Sequence, residues 1–259
     1  MGGRFKGKWT GPDGCPSPTF QQQLYSFTAV DYSSKFVFSR LCCNILSVTA
    51  HLEALRIFAL ESNRIIRYIR TDNKFITSST TAWASSNKIL FIPSIPHEHD
   101  TVRSVECVHR TLQEMVVKLL ALKPHLSPSF WGLSYLHNVD ILNIIPNATN
   151  VSPFYSWYSR PFDLQKTPLL PFGSIVAAHR PLATQHALSG RSIESIFVGI
   201  AHDYAGGIIL FNPTTKRSVV RHSFKYLDDN DPISTSYVDL TILLFHLLPQ
   251  SLLMILCPN

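Results

Sequence analysis

The chain has 259 residues, enough for one medium domain or for one domain with a small second one. Hydrophobic residues make up 45% and charged residues 15%, which excludes a disordered polar chain. The net charge of +6 suits a polyanionic partner, yet an ordinary solvated Lys/Arg surface would give the same value.

Residues 1–23 are rich in Gly, Pro, Ser and Gln and read as loop, with no apolar stretch of the secretory kind in Met1 to Gly14. Leu24–Val30 and Lys35–Leu41 are β-rich runs around Asp31-Tyr32-Ser33-Ser34, the pattern of a hairpin. Ile45 to Glu61 carries apolar residues at helical spacing without Pro or Gly, and a short apolar strand follows at Ile65–Ile69. Thr77 or Ser78 caps a helix running to about Asn87, and Leu90–Ile92 is another short strand. Val102 to Leu122 is amphipathic, with Val105, Val108, Leu112, Met115 or Val116, and Leu119 on one face. A further helix runs from Pro128 through Trp131 to Ile145, where Pro146 stops it; Phe130 and Trp131 there read as core.

Beyond it, Pro153, Pro161, Pro168 and Pro171 punctuate a linker. Short strands then follow at Ser174–Ala178, Ser195–Ile200, Gly207–Phe211 and Ser218–His222, with a turn at Asn212-Pro213-Thr214-Thr215. The resulting division is an N-terminal loop or truncated first strand (1–23), an α/β core (24–146), a linker (147–172), a small β unit (173–230) and an apolar tail (231–259). Within the tail, Leu240 to Cys257 is a mostly apolar run at the short limit for a membrane span, interrupted by His246, Pro249 and Gln250. A buried or foreign stretch is the preferred reading over a membrane anchor.

The cysteines are Cys15, Cys42, Cys43, Cys107 and Cys257; an odd count without a Cys-x-x-Cys pair points to reduced thiols in an intracellular protein. Asp72 ends a strand, and Glu106 lies in the first turns of the long helix. Acids brought together in this way hold hard cations through oxygen ligands and serve phosphoryl transfer, although single acids more often cap or face solvent. Arg103, Arg110 and Lys118 share the Glu106 helix and suit phosphate contact; for Arg110 an i,i+4 salt bridge to Glu106 is the plainer alternative. His97 and His99 flank Glu98 in a loop without completing a four-ligand metal set. Lys216, Arg217, Arg221 and Lys225 read as a solvated face of the β unit.

The run Arg70-Thr71-Asp72-Asn73 and the run Val105-Glu106-Cys107-Val108-His109-Arg110-Thr111 resemble the corresponding elements of copia-type retrotransposon integrases. The likeness continues through Leu112-Gln113-Glu114-Met115, Ser129-Phe130-Trp131-Gly132, Ser152-Pro153-Phe154, Leu170-Pro171-Phe172-Gly173 and Ser195-Ile196-Phe197-Val198-Gly199. The resemblance implies an α/β, RNase H-like mixed sheet flanked by helices, followed by a small β-rich C-terminal unit. It also implies a two-metal site of two Asp and one Glu, loaded with Mg²⁺ or Mn²⁺, with Asp72 as second acid and Glu106 as third. Element ends and target DNA would be the substrates, joined by a homo-oligomer in the nucleus.

Two departures bear on that chemistry. Asn73-Lys74-Phe75 replaces a longer, glycine-containing element, which is expected to disturb the loop beside the metals. The first acid belongs, by resemblance, to an Asp-x-x-Gly-Pro element; here Lys8 stands three residues before Gly11-Pro12. Asp31 lies too close to Asp72 for that role, and Asp13 is the only nearby substitute. The expectation is therefore a degenerate copy: an integrase core in ancestry, a nucleic-acid-binding remnant in activity.

Overall fold

In a computed structural model of the chain, the residues described are 25–42, 48–93, 103–148, 150–179, 192–202 and 206–227. Lys8, Asp13, His97, His99, the 231–259 tail and three of the cysteines (Cys15, Cys43, Cys257) lie outside them. Two compact units make up the mixed α/β chain: Met1–Ile144 with Ser152–Phe162, and Ile145–Val151 with Asp163–Asn259.

The first unit opens with β1 (Tyr25–Val30) and β2 (Val37–Cys42), an antiparallel pair closed by the register Val30↔Val37. Asp31 makes the turn: its Oδ2 accepts both the backbone N–H and the hydroxyl of Ser34 at 2.7 Å. That carboxylate is engaged in shaping the hairpin. Helix α1 (Val48–Glu61) buries Leu52, Leu55 and Ala59 and ends where Asn63 takes φ 55°. Helix α2 (Ser78–Ser86) then links β3 (Tyr68–Thr71) to β4 (Leu90–Pro93), which lies parallel to it. A parallel pair needs such a crossover. Thr77 begins α2 with a reciprocal capping box to Thr80. Glu53 ties the two helices: the Arg56 guanidinium first, and Trp83 Nε1 at 3.0 Å second, donate to its carboxyl and hold it down at about 2.

Helix α3 (Arg103–Leu122) is amphipathic and packs on β1 and on α4 (Trp131–Ile144). One core gathers Val30, Val37, Val105, Leu112, Val116, Trp131, Tyr135 and Val139. Unlike α3, α4 has no polar face: Gly132, Ser134, His137, Asn138 and Asn143 are buried together with its apolar residues. Asn143 fastens it to the hairpin, its Oδ1 accepting from Val37 N–H at 2.8 Å and its Nδ2 donating to the Val37 carbonyl at 2.9 Å.

In two stretches of this unit the elements depart from the sequence reading. The strand expected at Ile65–Ile69 sits three residues later, because pairing is set by the register Tyr68↔Leu90 and Ile65 is left 75% exposed. The stretch read as linker contains helix α5 (Pro153–Tyr158), capped by Ser152 and ended by Ser159 at φ 55°. Trp157 of α5 stacks on Phe36 at 5.2 Å, and Arg64 donates to the carbonyls of Ser156 and Trp157. Contacts of that kind explain a helix inside a proline-rich stretch.

The second unit is one antiparallel sheet of β5 (Ile175–His179), β6 (Ser192–Ala201), β7 (Gly207–Asn212), β8 (Arg217–Arg221) and β9 (Phe224–Tyr226), in the order β8-β7-β6-β5-β9. Its core holds Val176, Ala178, Phe197, Ile208 and Leu210. Gly206 has φ 78°, and a Cβ there would lie 2.7 Å from the Lys166 carbonyl, so glycine is required twice over. The three-residue β9 escaped the sequence reading because so short a run carries no period. Among the described residues no helix is long and apolar enough to cross a membrane.

Candidate functional site

Asp72 follows directly on β3, at the carboxyl end of a parallel pair, the end where open α/β sheets place their ligand-binding groups. It occupies the cap position of a 3-10 turn, Asn73–Phe75, yet its side chain makes no capping hydrogen bond. The turn is closed by Phe75 N–H to the Asp72 carbonyl at 3.0 Å, and Thr80 Oγ1 donates to the Phe75 carbonyl at 2.7 Å. No residue of this turn takes a positive φ. Where the resemblance led one to expect a disturbed loop, the shortened segment closes with ordinary backbone angles and without glycine.

Glu106 is exposed in the first turn of α3, where a carboxylate suits the helix dipole. It shares the solvent stripe of that helix with Arg110, Glu114 and Lys118. The salt bridge expected as the plainer role of Arg110 is absent: among the described residues no ion pair joins it to Glu106, and its Nη2 lies 3.9 Å from Cys107 Sγ. Arg103 is the first residue of the helix.

The opposite side of α3 is held by a buried polar chain that no local pattern announces. His109 Nδ1 lies 3.1 Å from the Tyr135 hydroxyl, which is 3.0 Å from Thr28 Oγ1, itself 2.9 Å from Ser39 Oγ. Burial raises the Tyr135 phenol above its ordinary value, so the hydroxyl keeps its proton. The chain runs from α3 through α4 to β1 and β2, and fixes the helix that carries Glu106 against the hairpin. Its members are far apart in sequence and of common types, so only the fold reveals them.

A two-metal centre needs at least three convergent acids, and Mg²⁺ prefers a near-ideal octahedron of oxygen ligands. Among the described residues no group of three His, Cys, Asp or Glu could hold a metal ion. Asp72 and Glu106 alone do not fit one.

A second titratable group is buried in the same unit. Burial holds the His137 imidazole down at about 4 against an ordinary 6.5, with Asp140 opposing the shift. Unfolding frees it to take up a proton. Its contribution to stability is therefore complete above about pH 6.5 and is lost as the pH falls toward about 4. Melting temperatures of the parent are expected to drop across that window, and His137→Gln is expected to flatten the drop. An unchanged pH slope in the variant would show that other groups set it.

No protein family and no curated protein matches the chain. Among solved structures it is similar to the cryo-EM structure of the simian T-cell lymphotropic virus intasome in complex with PP2A regulatory subunit B56 gamma. The sequence identity is 16% and the TM-score 0.47, covering 87% of this chain and 76% of that one.

Proposed function

We propose that the chain is a degenerate copia-type integrase core, RNase H-like in plan, which binds DNA and does not join it. The observation that carries this reading is the ordered series of integrase-like motifs around Asp72 and Glu106, combined with Lys8 where the first acid belongs. Asp72 at a strand end and Glu106 in the first turn of a helix are the kinds of position a polynucleotidyl transferase would use. A cation in the first-acid position opposes loading of Mg²⁺ or Mn²⁺ by direct repulsion. Arg110 and Lys118 on the exposed stripe of α3 then supply phosphate contacts, with Arg103 at its start. Homo-oligomer formation and a nuclear location belong to the same reading.

The test has two arms. A strand-transfer assay with Mg²⁺ or Mn²⁺ is expected to give no joining above the Asp72→Asn level; robust joining abolished by Asp72→Asn would overturn the loss of catalysis. Duplex DNA binding is expected to weaken with salt, and Arg110→Ala with Lys118→Ala to lower the slope of log K against log salt by roughly 2. An unchanged slope would remove α3 from the DNA contact.

A further inference from the structure

We infer that the outer face of the β3–β4 pair is a binding surface for single-stranded nucleic acid, centred on Tyr68. Alternation along β3 buries Ile69 and Thr71 and turns Tyr68 and Arg70 outward. Because Tyr68↔Leu90 and Arg70↔Ile92 are register partners, the same face carries Leu90 and Ile92 from β4. Tyr68 is 62% exposed and its register partner Leu90 61%, with Ile92 half-buried beside them, so a large ring stands next to open apolar surface.

The charge near it along the chain is mostly positive. From Ser62 to Pro93 the chain has five cations, Arg64, Arg67, Arg70, Lys74 and Lys88, and one acid, Asp72. Arg64 is committed to the α5 carbonyls. Arg67, Arg70 and Lys88 are exposed and form no ion pair among the described residues. Arg67 immediately precedes Tyr68, and its carbonyl accepts from Leu90 N–H at 2.9 Å; Lys88 lies two residues before Leu90. Cations therefore stand beside the strand starts (Arg67, Lys88), with Arg70 on the face itself, about 6.6 Å from Tyr68 along a strand rising about 3.3 Å per residue.

An exposed aromatic ring flanked by unneutralised guanidinium groups fits an unpaired base stacked between phosphates. A duplex hides its base faces and would use only the charges, and an apolar protein partner would leave the arginines unmatched. The inference rests on the nucleic-acid reading for the kind of partner, but on none of the α3 residues.

Anisotropy of labelled single-stranded and duplex oligonucleotides of equal length, over a salt series with the full chain, tests it. Tyr68→Ala is expected to weaken single-strand binding roughly five- to a hundredfold, with the duplex little changed, while Tyr68→Phe keeps the affinity because the ring does the stacking. Arg67→Ala, Arg70→Ala and Lys88→Ala together are expected to lower the single-strand salt slope by roughly 2. Parent-like single-strand binding by Tyr68→Ala, or equal loss on both substrates, overturns the inference. So does inorganic polyphosphate competing as well as an oligonucleotide of equal charge, which would mark a surface for polyanions in general. The Arg110→Ala, Lys118→Ala protein, assayed alongside, reads out α3 separately.

Discussion

Replacing Trp131 with alanine is expected to lower the stability of the first unit by about 3–5 kcal/mol, the usual cost of deleting a fully buried indole. Trp131 is 0% exposed and packs with Val105, Leu112, Val116 and Tyr135, so truncation leaves a void walled by α3 and by the rest of α4. It is also the residue at which the 3-10 turn Pro128–Phe130 passes into α4, its N–H bonded to the Pro128 carbonyl. The cavity therefore opens at a junction where the backbone is already held and cannot easily collapse inward. Urea unfolding followed by far-ultraviolet circular dichroism measures the effect without depending on the lost fluorophore. A loss below about 1 kcal/mol would mean that the site repacks. The same experiment separates core from base-stacking for this residue: with no exposed face, Trp131→Phe should leave DNA affinity unaltered while costing part of the stability.

How far the sequence foretold this fold depends on the scale at which each element is determined. Helix α3 was legible because Val105, Leu112 and Val116 repeat at helical spacing beside a polar face, and α2 because Thr77 is a strong capping residue. The turn of the first hairpin was legible from Asp31 and Ser34. By contrast, α4 has almost no amphipathic signal, since its surroundings bury polar and apolar residues alike. The start of β3 was misread because Ile65 and Ile66 look more strand-like than Tyr68 and Arg70, whereas pairing follows the partner strand. Helix α5 lies in a proline-rich stretch and depends on Phe36, Phe58 and Arg64, residues some ninety or more positions away.

The candidate site divides along the same line. That Asp72 ends a strand and Glu106 begins a helix is local information, and the sequence carries it. The Tyr135–Thr28 link spans 107 positions and is a product of packing alone. The turn after Asp72 shows the opposite error: a missing glycine suggested damage, yet Asn73–Phe75 forms a compact 3-10 turn seated by Thr80. Of the two departures from the integrase pattern, the charge at Lys8 is thus the weightier argument against catalysis.

That weighting leads to the largest functional effect expected. On the function proposed above, Lys8→Asp should increase the affinity for Mn²⁺ or Mg²⁺ by about a hundredfold. If residue 8 takes the first-acid position that the proposed reading gives it, replacing its positive charge by a negative one within about 5 Å of a divalent ion would change the interaction by about 3 kcal/mol even at the dielectric constant of water. The substitution also supplies the oxygen ligand that a hard cation requires. Electron paramagnetic resonance of Mn²⁺ reports binding directly, without requiring turnover. Asp72→Asn in the Lys8→Asp background should cancel the gain, because the new carboxylate alone cannot complete a ligand set. Saturable Mn²⁺ binding by the parent as tight as that of Lys8→Asp would sink the argument, and so would a gain that survives Asp72→Asn. If tight metal binding appears without DNA joining, the shortened Asn73–Phe75 turn becomes the next place to restore, by lengthening it to the glycine-containing element that the integrase pattern carries there.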